Sequence, residues 1–149
     1  YRPIASYGDL KTKLEAIDPK TLSPRLVSET VSEIRRTKLP NSTLLGNAGS
    51  FFKNPVLAEE RAKQLIKEHP QVPWFKDSQG IKISAGWLIE QCGWKGKRVG
   101  NTGCYEKQAL VIVNYGAATA KEILAFAYNV QSSVRETFGI ELAPEVNII

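Results

Sequence analysis

Methionine is absent from this 149-residue sequence, histidine occurs once and cysteine twice. No apolar run approaches the roughly 18 residues that a membrane-spanning helix needs. Each shortage excludes something. His69 with two distant cysteines, Cys92 and Cys104, supplies no zinc-type ligand set, so no metal is expected. Two cysteines are also too few for a disulfide framework, which makes a reducing cytoplasm the simplest setting. A Ser-His-Asp triad is not expected either, because no Gly-x-Ser-x-Gly occurs and the one histidine stands directly before Pro70. With no methionine, Tyr1 is not a translation start, and the chain is expected to be a piece of a longer protein. The opening Tyr1-Arg-Pro-Ile-Ala-Ser-Tyr-Gly-Asp9 carries no secretion-leader pattern. Repeats and low-complexity tracts are missing as well.

What is present describes a globular domain. Hydrophobic residues make up 42% and charged residues 23%, values that exclude a disordered or fibrous chain. The length suits a single domain with a self-supporting core. Twenty lysines and arginines against 15 acids leave +5, a mild excess. The basic residues gather only in Arg35-Arg36-Thr37-Lys38 and Lys95-Gly96-Lys97-Arg98, without the aromatic interleaving of a nucleic-acid surface. Solvated lysines, or a phosphorylated small molecule, account for them better than DNA or RNA does.

Patterning predicts four helices. Ser23-Pro24 reads as an N-cap with proline at the first helical position, and Leu26, Val27, Val31 and Ile34 continue at helical spacing until Pro40. A second helix is expected over 58–69 with Ala58, Ala62, Leu65 and Ile66 on one face. A short third follows the cap Ser84 and stops at Gly93. In the last, Thr119 and Glu122 form a capping box, Ile123, Phe126, Ala127, Val130, Val134 and Phe138 make the apolar face, and Gly139 closes it. Strands are expected at 50–53, 81–83, 110–114 and 146–149. Helices and strands do not alternate strictly, so the class is α+β, with a mixed or antiparallel sheet carrying about four helices.

Two segments could carry chemistry. In Leu45-Gly-Asn-Ala-Gly-Ser-Phe-Phe-Lys-Asn-Pro55, small residues around Asn47 and Ser50 would let the backbone approach a ligand. Ser50 is expected to open a strand whose Phe51 and Phe52 point to opposite faces. It is either a rigidly held ligand-facing hydroxyl or the serine of a tight turn. Glu145, fixed by Pro144 before an apolar run, is either partly buried, with the raised pKa that suits proton chemistry, or simply solvated. Lys38 and Lys95 are either phosphate contacts or surface lysines.

Taken together, several motifs resemble one family. Gly46-Asn-Ala-Gly-Ser-Phe-Phe-Lys-Asn-Pro55, Ala85-Gly-Trp-Leu-Ile-Glu-Gln91, Lys95-Gly96 and Pro144-Glu-Val146 occur with the order and spacing of the UDP-N-acetylenolpyruvoylglucosamine reductases, in the longer type with a tyrosine loop. Tyr7-Gly-Asp-Leu10, Arg36-Thr-Lys-Leu-Pro40 and Gln108-Ala-Leu110 fit the same pattern, which covers nearly the whole chain. The resemblance implies an NADPH- and FAD-dependent flavoenzyme of peptidoglycan precursor synthesis that reduces UDP-N-acetylglucosamine enolpyruvate to UDP-N-acetylmuramate. It implies that Ser50 is the proton donor, that Glu145 assists, that Tyr7 closes over the diphosphate, and that Lys38, Asn54, Lys95 and Gln108 contact the diphosphate and uridine end. Residues 1–20 would be the tyrosine-loop segment, 21–140 the core of the substrate-binding domain, and 141–149 a terminal strand carrying Glu145. The FAD-binding domains, and a catalytic arginine within them, would lie in an N-terminal portion absent from this sequence. Tight FAD binding and turnover by this chain alone are therefore not expected, and a monomer is. Asn101 and Cys104 depart from the family pattern, where glycine or aspartate and valine are expected. The competing readings are a non-catalytic basic module that binds nucleic acid or an acidic partner, and a scaffold domain.

Overall fold

The computed structural model of the protein describes residues 8–18 and 20–148. The chain divides between Pro40 and Asn41 into two compact units. In the first, α1 (Gly8–Glu15) packs on α2 (Pro24–Lys38). The α2 N-terminus is built as expected: Ser23 Oγ accepts from the Leu26 amide at 3.2 Å, with Pro24 at the first helical position. Its end is set by Pro40, which favours the extended conformation that Leu39 adopts. Ion pairs Asp9–Lys38 (2.6 Å) and Lys13–Glu33 (3.1 Å) join the two helices, and Leu14 is buried. Helix α1 carries no comparable sequence signal. It has only two turns, and the described residues hold five helices where about four were expected.

The second unit follows the order β1 (Gly46–Ser50), β2 (Val56–Leu57), α3 (Glu59–Glu68), β3 (Trp74–Asp77), β4 (Gly80–Ile83), α4 (Ala85–Gln91), β5 (Arg98–Val99), β6 (Thr102–Cys104), β7 (Val111–Asn114), α5 (Ala120–Phe138). Its strands form two antiparallel sheets, β1-β7-β6-β5 and β2-β4-β3. The α+β class stands, with every pairing antiparallel. Helix α5 is held by the full capping box of Thr119 and Glu122 and by Gly139 in the left-handed conformation (φ 64°). Its buried face, Phe126, Ala127, Val130, Val134 and Phe138, is the one that the sequence spacing marks. These side chains pack with Leu65, Ile83, Leu88, Ile89 and Phe52 in one core cluster. At about 25 cal/mol per Å², each large apolar side chain so buried contributes about 1.5–3 kcal/mol.

Three expectations require correction. Ser50 closes a strand rather than opening one, since β1 spans Gly46–Ser50. Phe51 and Phe52 do not serve opposite faces: both are buried in the same core, edge to face with centroids 5.1 Å apart. No terminal strand forms among the described residues of 141–149. The C-terminal run is anchored by buried Leu142, whose carbonyl accepts from Gln131 Nε2 at 2.7 Å, and by one β-bridge, Phe52 with Pro144, flanked by Lys53 N–H to Ala143 O (2.9 Å) and Glu145 N–H to Phe51 O (2.8 Å). Pro144 has no N–H to extend that ladder.

Candidate functional site

The position of Ser50 depends on an irregularity in β1. Asn47 pairs with Val113 and Ser50 with Val111, so a three-residue step on β1 opposes a two-residue step on β7. The extra residue is a β-bulge, with Ala48 and Gly49 facing the single Ile112. Gly49 adopts φ 75°, a conformation open to glycine at little cost. Asn47 braces the bulge: its Oδ1 accepts from the Gly49 amide at 3.0 Å and its Nδ2 donates to Leu45 O at 2.9 Å. Because side chains alternate, the bulge returns Ser50 to the sheet face of Asn47, Val111 and Val113; an unbulged strand would turn it to the other face.

Ser50 borders an open cleft of about 530 Å³ lined also by Ala48, Glu145, Val146 and Asn147. Ser50 and Glu145, far apart in the chain, are brought together here because the Phe52–Pro144 bridge carries the C-terminal run alongside residues 51–53. Ser50 is half-buried and Glu145 is exposed, so of the two readings of Glu145 the solvated one holds. Among the described residues, neither the Ser50 hydroxyl nor the Glu145 carboxylate has a hydrogen-bond or ion-pair partner. The tight-turn reading of Ser50 would have occupied that hydroxyl.

A second pocket, of about 240 Å³, is lined by residues that include Ser84, Gly86, Trp87, Lys95, Lys107 and Gln108. It collects Lys95 and Gln108, two of the positions expected to hold ligand. The Lys95 ammonium sits 3.0 Å from Glu90 Oε1, in a pair that is partly exposed and therefore worth at most about 1 kcal/mol. Gln108 uses Oε1 to accept from the Leu110 amide at 3.4 Å. Gly86 makes room for it: a Cβ there would stand 3.1 Å from Gln108 Oε1.

The remaining expected residues lie elsewhere. Asn54 lines neither pocket; its Oδ1 accepts from the Ala85 amide at 2.9 Å and, beside the Ser84 cap, holds the start of α4. Lys38 belongs to the first unit, paired with Asp9, whose carboxyl it keeps below the ordinary 3.8 chiefly through their hydrogen bond. Tyr7 lies outside the described residues. Of the departures from the family pattern, Cys104 is fully buried with its thiol pushed up to about 12 by desolvation, which makes it an inert core residue. Asn101 takes part in the β5–β6 turn, its carbonyl accepting from the Tyr115 amide. Sequence reasoning misses Lys107, which beside Gln108 carries no signal other than its charge.

The basic clusters do not form an anion-binding stripe. Lys97 lies over Trp94 and Arg98 over Tyr115, each 4.2 Å from the ring centre, and Arg98 Nε also donates to Gly100 O. Among the described residues no helix is long and apolar enough to cross a membrane, and no three His, Cys, Asp or Glu side chains group to hold a metal.

Comparison with known proteins gives the same direction. Residues 40–149 match the family described as UDP-N-acetylenolpyruvoylglucosamine reductase, C-terminal domain. Proteins named UDP-N-acetylenolpyruvoylglucosamine reductase from Chromobacterium violaceum, Xylella fastidiosa and Flavobacterium johnsoniae are 49%, 47% and 47% identical to the chain, over 96%, 97% and 97% of its length. The chain spans 42%, 42% and 43% of the length of these relatives. On both grounds the chain belongs to the UDP-N-acetylenolpyruvoylglucosamine reductase family, of which residues 40–149 are the C-terminal domain.

Proposed function

We propose that this chain is the substrate-binding portion of a reductase that converts UDP-N-acetylglucosamine enolpyruvate to UDP-N-acetylmuramate in peptidoglycan precursor synthesis. The observation that carries the reading is the shared cleft of Ser50 and Glu145, with both polar groups unpartnered among the described residues and open to a ligand. Reducing the enolpyruvyl double bond requires a hydride at the terminal vinyl carbon and a proton at the carbon bearing the ether oxygen. Hydride addition leaves an enolate-like charge beside the carboxylate, which needs stabilisation and then protonation. Ser50 Oγ supplies the proton, and Glu145, across the same cleft, assists. The hydroxyl works because its acceptor is a carbon of carbanion character.

Nucleotide holding falls to the second pocket, with Gln108 at a uridine or sugar edge and lysine charge on the diphosphate. Ser50 and Asn54 are four positions apart, at most about 14 Å of extended chain, and Asn54 is tied to the helix that forms the pocket. One elongated ligand can therefore reach both. The resemblance adds Tyr7 and Lys38 as further contacts of the diphosphate.

The cleft beside Ser50 does not by itself fit a flavin dinucleotide, since its lining, Ala48, Ser50, Glu145, Val146 and Asn147, offers no cation for a pyrophosphate and no aromatic ring. FAD, and the NADPH that reduces it, are accordingly assigned to the N-terminal portion that the relatives' greater length leaves room for. That portion is the partner of this chain, which is otherwise monomeric and, with two unpaired cysteines, cytoplasmic. A nucleic-acid module is the weaker alternative, because the cations of the 95–98 cluster are engaged within the fold, Lys95 with Glu90, Lys97 over Trp94 and Arg98 over Tyr115.

Titrating the chain with UDP-N-acetylglucosamine enolpyruvate, and separately with a DNA duplex at two salt concentrations, tests the assignment. A response to the sugar nucleotide at the two pockets is expected; duplex affinity with a steep salt slope and no sugar-nucleotide response would replace it.

A further inference from the structure

The lysines that the family pattern singles out are already paired inside the chain: Lys38 with Asp9 and Lys95 with Glu90. Within the second pocket, Glu90 and Lys95 sum to zero. Lys107 lines the same pocket, is exposed, and has no carboxylate, carbonyl or ring partner among the described residues. It is therefore the pocket's net positive charge. Its backbone place is fixed by the turn before β7, where the Gln108 amide donates to Tyr105 O at 3.3 Å and the Val111 amide to Gln108 O at 3.1 Å. Lys107 is thus adjacent in sequence to the amide side chain of Gln108 and delivered to the same opening.

The geometry points to Lys107 as the cation that contacts the diphosphate of a uridine nucleotide in this pocket and sets its preference for phosphorylated over unphosphorylated ligands. This rests on the sugar-nucleotide reading above. A phosphate entering between Lys95 and Lys107 meets one ammonium held by Glu90 and one that is uncompensated, so the second supplies the larger share of the attraction. The same charge balance gives Glu90 a positioning part: it holds the Lys95 side chain at the rim until the ligand competes for it.

The experiment is an amide-resonance titration of the 149-residue chain with uridine, UMP and UDP, followed at residues 84–87, 95 and 107–109. The wild type is compared with Lys107→Gln, Lys107→Arg and the remote surface variant Lys67→Ala. Expected is tightening from uridine to UDP in the wild type, a loss of about tenfold in UDP affinity for Lys107→Gln with uridine affinity unchanged, recovery in Lys107→Arg, and no effect of Lys67→Ala. If the wild type responds to UDP at these residues and Lys107→Gln binds it equally well, or loses uridine and UDP alike, the role of Lys107 is overturned while the nucleotide site stands. Should no ligand move these residues in the wild type, the nucleotide site falls and takes the role of Lys107 with it.

Discussion

The Ser50 cleft and the Lys95 pocket belong to the same unit but are built by opposite means. Irregular backbone makes the cleft: a bulge at Gly49 sets Ser50, and a lone bridge at Pro144 sets Glu145. Its Ser50 hydroxyl and Glu145 carboxylate are left without partners among the described residues. Regular structure makes the pocket: α4 begins at a doubly capped terminus, and Lys95 and Gln108 are each engaged by a neighbour. Groups that hold a ligand can be stored in weak local pairs worth at most about 1 kcal/mol, because exchange for a phosphate costs little. On the proposed reading, the group that hands over a proton stays free of such pairs, and irregular backbone is what leaves the Ser50 hydroxyl unpartnered among the described residues.

The sharpest way to break that contrast is Ser50→Ala in the complete reductase. Substrate-dependent turnover is expected to fall about a hundred- to ten-thousand-fold, the worth of a positioned proton donor, while reduction of the enzyme by NADPH is unchanged. Because the hydroxyl bonds to nothing among the described residues, denaturant melts of the 149-residue chain should move by no more than about 0.5 kcal/mol. A large stability loss would mean that Ser50 is a structural serine after all.

Phe52 couples the two regions, being 1% exposed and paired with Pro144. Phe52→Ala is expected to cost about 3–5 kcal/mol in urea unfolding and to weaken ligand binding at both places. Asn54→Ala discriminates between them. Removing the acceptor of the Ala85 amide should cost about 1–2 kcal/mol and loosen the pocket alone, whereas Asn54→Asp keeps the acceptor and the stability. Equal stability of all three forms would show that Asn54 does not hold α4.

The smallest effect lies outside both regions. Glu122 accepts from the backbone amide and hydroxyl of Thr119, the backbone bond contributing most, and this holds its carboxyl below the ordinary 4.5. A folded value below the unfolded one contributes stability that is present above 4.5 and lost as pH falls through the folded value. The gap in stability between wild type and Glu122→Gln should therefore narrow as pH is lowered below 4.5; a gap independent of pH would contradict the capping-box ionisation.

How much of the fold is legible in the sequence depends on how local each feature is. Helices α2, α4 and α5 are readable because Ser23, Ser84 and Thr119 cap them within three residues and prolines or glycines end them. The bulge is not, since it exists only in the register of β1 against the distant β7. The motif around Ser50 marks the right segment, yet it points to the wrong end of the strand. Asn54 reads as a ligand contact until its partner, 31 residues on, is seen. Lys107 escapes notice because only its place in the pocket, beside a Lys95 already paired with Glu90, distinguishes it.

A crystal structure of the complete reductase with UDP-N-acetylglucosamine enolpyruvate bound tests the central assignment most directly. It should place Ser50 Oγ within about 3.5 Å of the ether-bearing carbon, with Glu145 across the enolpyruvyl group and the uridine diphosphate against Lys95, Lys107 and Gln108. An enolpyruvyl group seated away from Ser50, or a nucleotide bound outside the α4 pocket, would contradict it.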